Sequence, residues 1–244
     1  MTNFNVSPKH LNVFTHYARF GKEFRPNDIG FFRVRANRNQ ANAGMEVFNP
    51  DPWKGLRRIG SGFSVSRGWT DERLVWQNYR EFWVFTQFRN FWATNGGMFA
   101  ESDVQDDLDT RGGPPRLKPA YKGVFYNLNS DNRKSWRWNL YANRGGNDEG
   151  GWFSNLNTNV SFQPTDRLLG SVGIGYSFGI DSAQGIANTD ADRDAVTDHV
   201  YGTLNRDVLD VTIRGTYSFH RDLTLQAYLQ PFIACADYSD IRSF

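Results

Sequence analysis

From Leu209 onward apolar and polar residues alternate with a period of two, and this constrains the fold more than any other feature. Leu209, Val211, Ile213, Gly215, Tyr217 and Phe219 share one parity, against Asp210, Thr212, Arg214, Thr216, Ser218 and His220 on the other. Successive side chains of a β-strand point to opposite sides, so the pattern predicts a strand with one apolar and one polar face. After Arg221-Asp222 it resumes, with Leu223, Leu225, Ala227, Leu229, Pro231, Ile233 and Cys235 opposed to Thr224, Gln226, Tyr228 and Gln230. Two long strands in a hairpin follow from this.

The same design recurs upstream. Trp152, Leu156, Val160 and Phe162 alternate with Phe153, Asn155, Asn157, Asn159 and Ser161. Val172, Ile174, Tyr176 and Phe178 alternate with Gly173, Gly175, Ser177 and Gly179, and Trp136, Trp138, Leu140 and Ala142 with Arg137, Asn139, Tyr141 and Asn143. Leu74, Trp76, Phe82, Val84 and Phe88 share a parity along a strand that turns near Arg89-Asn90 into residues 91–100. Fainter strands are expected at residues 11–20, 29–35, 59–69, 118–128 and 199–205. The reading is all-β, with roughly a dozen strands and no amphipathic helix.

Composition narrows the classes. Only 39% of the 244 residues are hydrophobic and mean hydropathy is −0.61, yet 16% are aromatic. Membrane-helix bundles need runs of ~20 apolar residues, and disordered chains are poor in aromatics. A net charge of +2 gives no electrostatic case for nucleic acid. A lone cysteine, Cys235, excludes an intrachain disulfide framework and a cysteine-built zinc site. Residues 1–10 have no apolar stretch and do not read as a signal peptide.

Connections alternate in length. Short turns are expected at Arg89-Asn90, residues 130–133, 164–166, Arg206-Asp207 and Arg221-Asp222. Longer polar loops are expected at residues 101–117, 145–150 and 180–198. Short turns on one side and long loops on the other are the layout of an antiparallel up-and-down transmembrane β-barrel. In that reading the apolar parity meets lipid, and Trp83, Trp92, Trp136, Trp152, Phe178 and Phe219 form interfacial girdles. A soluble sandwich or closed barrel alternates for the same reason with its apolar face inward. Two features favour the membrane. Several strands reach ~12 residues against a usual ~5–6, and their polar faces carry Gly, Asn, Ser and Thr in place of Lys and Glu.

Several segments resemble a known family. The run Leu225-Gln226-Ala227-Tyr228-Leu229-Gln230-Pro231-Phe232 is the most specific, with the stretch from Tyr201 to Arg214 leading into it. Gly21-Lys22-Glu23-Phe24-Arg25-Pro26-Asn27-Asp28, Phe88-Arg89-Asn90-Phe91-Trp92 and Thr110-Arg111-Gly112-Gly113-Pro114-Pro115 add to it. Over about residues 11–240 the chain is similar to an outer-membrane barrel family of Gram-negative bacteria, domain of unknown function 5916. The resemblance implies an outer-membrane location and a barrel that usually follows a signal peptide and a β-sandwich similar to family-9 carbohydrate-binding modules. Neither of those parts is present here, so residues 1–244 are expected to form one partial barrel domain, a fragment truncated at both ends. Its expected partners are outer-membrane lipid, the outer-membrane assembly machinery and a glycan ligand, with no nucleic acid.

No catalytic, cofactor-binding or metal site can be read from the residues. His10, His16, His199 and His220 show no ligand spacing, and Cys235 falls on the apolar parity. Asp190, Asp192 and Asp194 resemble a calcium loop, but Ala195 stands where its glycine belongs, so a hydrated loop is expected. Asp103, Asp106, Asp107 and Asp109 are read in the same way, and Gly170-Ser171-Val172-Gly173-Ile174-Gly175 as small residues within a strand. Arg111, Gly112 and Gly113, followed by two prolines, suggest a fixed bend that could fold inward as a constriction. Arg137, Arg214, Lys122 and Glu81 are candidate lumen charges that would set selectivity. The expected function is non-enzymatic, a pore or surface platform linked to glycan binding or uptake. The alternatives are a soluble β-rich carbohydrate-binding module and, behind it, a barrel-embedded hydrolase.

Overall fold

The computed structural model describes residues 1–24, 36–108, 114–189 and 198–243, and every regular element in them is a strand. They are β1 (Thr2–Val6), β2 (Leu11–Phe20), β3 (Arg38–Asn49), β4 (Leu56–Trp69), β5 (Val75–Phe88), β6 (Ala93–Glu101), β7 (Val104–Asp106) and β8 (Arg116–Lys118). Then come β9 (Tyr121–Asn129), β10 (Trp136–Asn147), β11 (Trp152–Thr165), β12 (Leu168–Thr189), β13 (Asp198–His220), β14 (Leu223–Leu229) and β15 (Phe232–Ser243). Thirteen of them form one sheet in sequence order, every pairing antiparallel. β7 and β8 form a separate two-stranded hairpin.

β14 and β15 are one strand in all but name. Ile213 faces Leu229 and Asp210 faces Phe232, so the register carries straight through. The break falls at Pro231, which has no N–H to give the ladder, while its carbonyl still accepts from the Val211 amide at 3.0 Å. In the described sheet β1 pairs only with β2, and the β14–β15 strand only with β13.

Register lines up the apolar parity across strands. Met45, Phe63, Phe82, Met98 and Val124 are successive partners from β3 to β9. Tyr126, Ala142, Leu156, Tyr176, Leu209 and Ile233 continue one row over, from β9 to β15. Apart from Ala142 these side chains are exposed, from 38% for Tyr176 to 66% for Ile233. Among the described residues no second layer covers them on this side.

The opposite face is packed by a different device. Phe14 pairs with Gly44, Phe85 with Gly60, Trp83 with Gly62, Phe125 with Gly97, Phe99 with Gly123 and Phe153 with Gly145. In each case a Cβ on the glycine would run into that ring, at 2.5 Å for Gly44 and Gly60 and 2.8 Å for Gly145. The rings lie over the bare backbone of the neighbouring strand, in space that a side chain on the glycine would occupy.

The polar face is concave. The β7–β8 hairpin packs beside β5, near Arg38 and Trp76, and also reaches β13, where the Arg116 guanidinium sits 5.0 Å from the Tyr201 ring. β5 and β13 are six positions apart in the sheet, ~29 Å if it were flat. A hairpin with three-residue strands touches both only because the sheet curves around it.

Several expectations are corrected. Arg206-Asp207 is no turn but lies inside β13, where Asp207 accepts a hydrogen bond from the Tyr176 hydroxyl at 3.0 Å. Pairing with β12 outweighs the local polar signal. For the same reason β12 runs on to Thr189, β10 to Asn147 and β11 through Pro164, taking in residues expected as loop or turn. β3 was not legible as a strand at all, and the strand expected at residues 29–35 lies outside the described residues. Trp83 faces the concave side over Gly62, so it belongs to no girdle. A bulge between Gly68 and Trp69 breaks the parity of β5, and Trp76 stacks under Arg38 beside Gly68.

The ring-over-glycine pairs give a direct prediction. Gly62→Ala should cost about 1–3 kcal/mol by overpacking against Trp83. Combined with Trp83→Ala it should cost less than the sum of the single changes by about 1 kcal/mol. Denaturant unfolding of the folded chain reads both, and strict additivity would contradict the contact.

Candidate functional site

The concave face divides into four levels along the strands. At the level of the hairpin lies a cleft of about 470 Å³, bordered by Arg116 and Lys118 of β8, Trp152 and Phe153 of β11, and Asp181 and Arg206. The hairpin is seated by its own chemistry. Val104 is buried, Asp103 Oδ1 accepts from the Ala120 amide at 2.6 Å, and Arg116 stacks on the buried Tyr201. A guanidinium over an aromatic face gains from the ring's negative quadrupole, by ~0.5–2 kcal/mol according to desolvation.

Below it lies a smaller hollow of about 360 Å³, lined by Tyr79, Glu81, Phe99, Tyr121, Phe125, Tyr141, Asn143 and Phe153. Phe99 is its hub, with ring centroids 6.2 Å from Tyr79, 6.0 Å from Tyr121 and 6.2 Å from Phe153. The Tyr79 hydroxyl donates to Glu81 at 2.8 Å. Alternation places all these rings on the concave parity, one per strand or two on β9.

Further toward the short turns the rings give way to side-chain amides. Asn139 donates to Asn129 at 2.7 Å and to Asn127 at 3.2 Å, and Asn129 donates to Asn127 at 2.9 Å. Beside the rings themselves Asn155 donates to Asn143 at 2.7 Å, and Asn143 to the Tyr141 hydroxyl at 3.1 Å. Each amide keeps donors and acceptors beyond those it spends on its neighbours.

Arg137 and Arg214 lie lower still, in one register row, Arg137–Ser161–Ser171–Arg214, on the concave parity of β10 to β13. Eight residues of β12 separate Ser171 in this row from Gly179 at the cleft, ~27 Å along the strand. The structure therefore sets the two arginines in one row, three strands or ~14 Å apart, and away from the hairpin. Glu81 lines the hollow on the concave face. Lys122 does not, because it shares the parity of the outward Val124 and Tyr126, and this corrects its assignment to the lumen. Arg111, Gly112 and Gly113 lie outside the described residues, as do Asp109, Asp190, Asp192 and Asp194. The described parts of that first loop, β7 and β8, do turn inward over the concave face.

The remaining titratable candidates make structural contacts. His10 pairs with the Phe48 carbonyl at 3.2 Å and His199 with Asn188 at 3.1 Å. Cys235 is exposed on the parity of Ile233. At the short-turn end Arg133 grips Asp131 through Nε and Nη2, at 2.8 and 2.7 Å, and holds that carboxyl down at about 2. Arg133 and Arg57 also lie over the Phe91 ring, at 3.1 and 3.9 Å. Among the described residues no group of His, Cys, Asp and Glu is placed to hold a metal ion.

Fold and site together define an all-β protein built as one antiparallel meander, with an exposed apolar face and a concave face of rings and amides. The chain belongs to the family described as domain of unknown function 5916, whose model matches residues 4–244. No curated protein and no solved structure matches it.

The seat of the hairpin is open to test. Tyr201→Ala should speed trypsin cleavage after Arg116 by roughly fivefold, the equivalent of losing ~1 kcal/mol of closure. Tyr201→Phe keeps the ring and should cleave like the unaltered chain. Equal rates in all three would show that the stack does not hold the hairpin.

Proposed function

We propose that the chain is the membrane-spanning part of an outer-membrane β-barrel of Gram-negative bacteria, non-enzymatic, and a pore or surface platform for glycan binding or uptake. The observation that carries this reading is the apolar row running from Met45 to Val124 and on from Tyr126 to Ile233 on the outer face. Nothing among the described residues covers it. An apolar band that crosses strand after strand suits acyl chains, whereas water would leave it as a large exposed patch.

Aromatic pairs near strand ends give the band its height. Trp136 and Phe162 lie 4.2 Å apart toward the short turns, and Trp152 and Phe178 lie 5.7 Å apart toward the hairpin. The ten residue steps of β11 from Trp152 to Phe162 cover ~34 Å along the strand. Tilted by ~40°, that is ~26 Å across, close to the ~25 Å apolar band of outer-membrane barrels. In this setting the antiparallel ladder satisfies backbone groups within the sheet, and the open edges require a further pairing, because lipid supplies no hydrogen bonds. Folding into the bilayer would fall to the outer-membrane assembly machinery, the short turns facing the periplasm.

On the aqueous side the concave face suits a wetted passage, with the β7–β8 hairpin narrowing it. The full chain should fold only with detergent or lipid, giving a β-type far-UV circular dichroism spectrum and faster electrophoretic migration before boiling than after. A monomer with the same β-structure in plain buffer would overturn the membrane reading in favour of a soluble module. Conductance across a planar bilayer would separate the pore from the sealed platform.

A further inference from the structure

We infer that the concave face from Tyr121 to Asn129 and its neighbours on β5, β6, β10 and β11 is a binding track for an uncharged, polyhydroxylated chain, a neutral oligosaccharide. This rests on the reading of that face as the lining of an aqueous passage, and deepens it by assigning the site and the ligand's charge class.

Three features carry it. The first is the supply of ring faces. Tyr79, Phe99, Tyr121, Phe125, Tyr141 and Phe153 crowd one hollow, yet only Phe99 among them is buried. A pyranose presents faces of C–H groups whose partial positive charge suits the negative face of an aromatic ring, while its rim of hydroxyls needs hydrogen bonds. The second is the set of side-chain amides that stands beside the rings at Asn143 and Asn155 and continues past them toward the short turns. Asn127, Asn129, Asn139, Asn143 and Asn155 are aligned by their mutual bonds, at 2.7–3.2 Å, so their remaining donors and acceptors are held in place before a ligand arrives. Planar amides offer a donor and an acceptor side by side, the complement of neighbouring hydroxyls.

The third feature is charge. Of the eight residues lining the hollow only Glu81 is ionisable to a charge near neutrality, and it is engaged by the Tyr79 hydroxyl. An anionic chain would meet no cation there, and a cationic one a single carboxylate. An acyl chain would leave the amides unserved, at a desolvation cost. From Tyr121 to Asn129 the track runs ~27 Å along β9, room for several linked rings.

The test uses the full folded chain in a detergent without a sugar headgroup, such as lauryldimethylamine oxide, titrated by calorimetry with maltohexaose, cellohexaose and chitohexaose. At least one should bind saturably. Tyr121→Ala should weaken that binding about tenfold, the loss of one ring contact and its alignment, while Tyr121→Trp restores it and Met98→Ala on the outer face leaves it unchanged. Circular dichroism confirms that each variant is folded. No binding of any of the three to folded protein, or binding indifferent to Tyr121, would overturn the inference, as would uptake of dodecanoate by liposome-embedded protein in place of the sugars. Conductance without sugar binding would reject the track and keep the pore, and sugar binding without conductance would do the reverse.

Discussion

A single sheet has no partner layer to make a core with, and this chain makes one out of rings laid over glycines. Among the described residues no large side chain is fully buried. The inner packing is instead that of Phe14 on Gly44, Phe85 on Gly60, Trp83 on Gly62, Phe125 on Gly97, Phe99 on Gly123 and Phe153 on Gly145, each pair directly cross-strand. The arrangement explains why a chain this rich in aromatics is also rich in glycine. It also fixes register, because a slip of one residue would turn the ring to the other face.

The same pairs shape the concave surface. Phe99 and Phe153, each over a glycine, lie with their planes 15° apart, and Tyr121 meets both edge-on in the one hollow. The hairpin of β7 and β8 closes over that hollow from the long-loop side, tied to β13 through Arg116 and Tyr201. On the outer side the pleat is left with Met45, Phe63, Phe82, Met98 and Val124, for which nothing among the described residues offers cover. Inner packing and outer exposure are two consequences of one alternation.

Much of this was legible in the sequence, because side-chain parity is a local property. That Leu209, Ile213, Tyr217 and Phe219 share one face, and Val172, Ile174 and Tyr176 another stretch of it, follows from alternation alone; that the face is exposed does not. β3 was missed because Ala41, Ala43, Asn39 and Gln40 carry little contrast between faces. Lys122 and Trp83 were misplaced because single charged or aromatic residues were assigned by type, where parity within β9 and β5 decides. The ring-over-glycine pairs and the asparagine ladder could not be read, since both depend on which residues of separate strands meet. Membership of the domain of unknown function 5916 family agrees with the motifs at Leu225–Phe232 and elsewhere, but says nothing of these contacts.

The central claim is that one face of the sheet meets lipid and the other meets water. It is tested most directly on a single strand, in liposome-embedded protein with Cys235→Ser as background and a cysteine placed at Val124 or Asn127. The account predicts that a fluorophore at Val124 is quenched by brominated acyl chains and that this site resists a charged aqueous thiol reagent, with Asn127 behaving in the opposite way. Equal reactivity of the two sites, or quenching at Asn127 in preference to Val124, would contradict it.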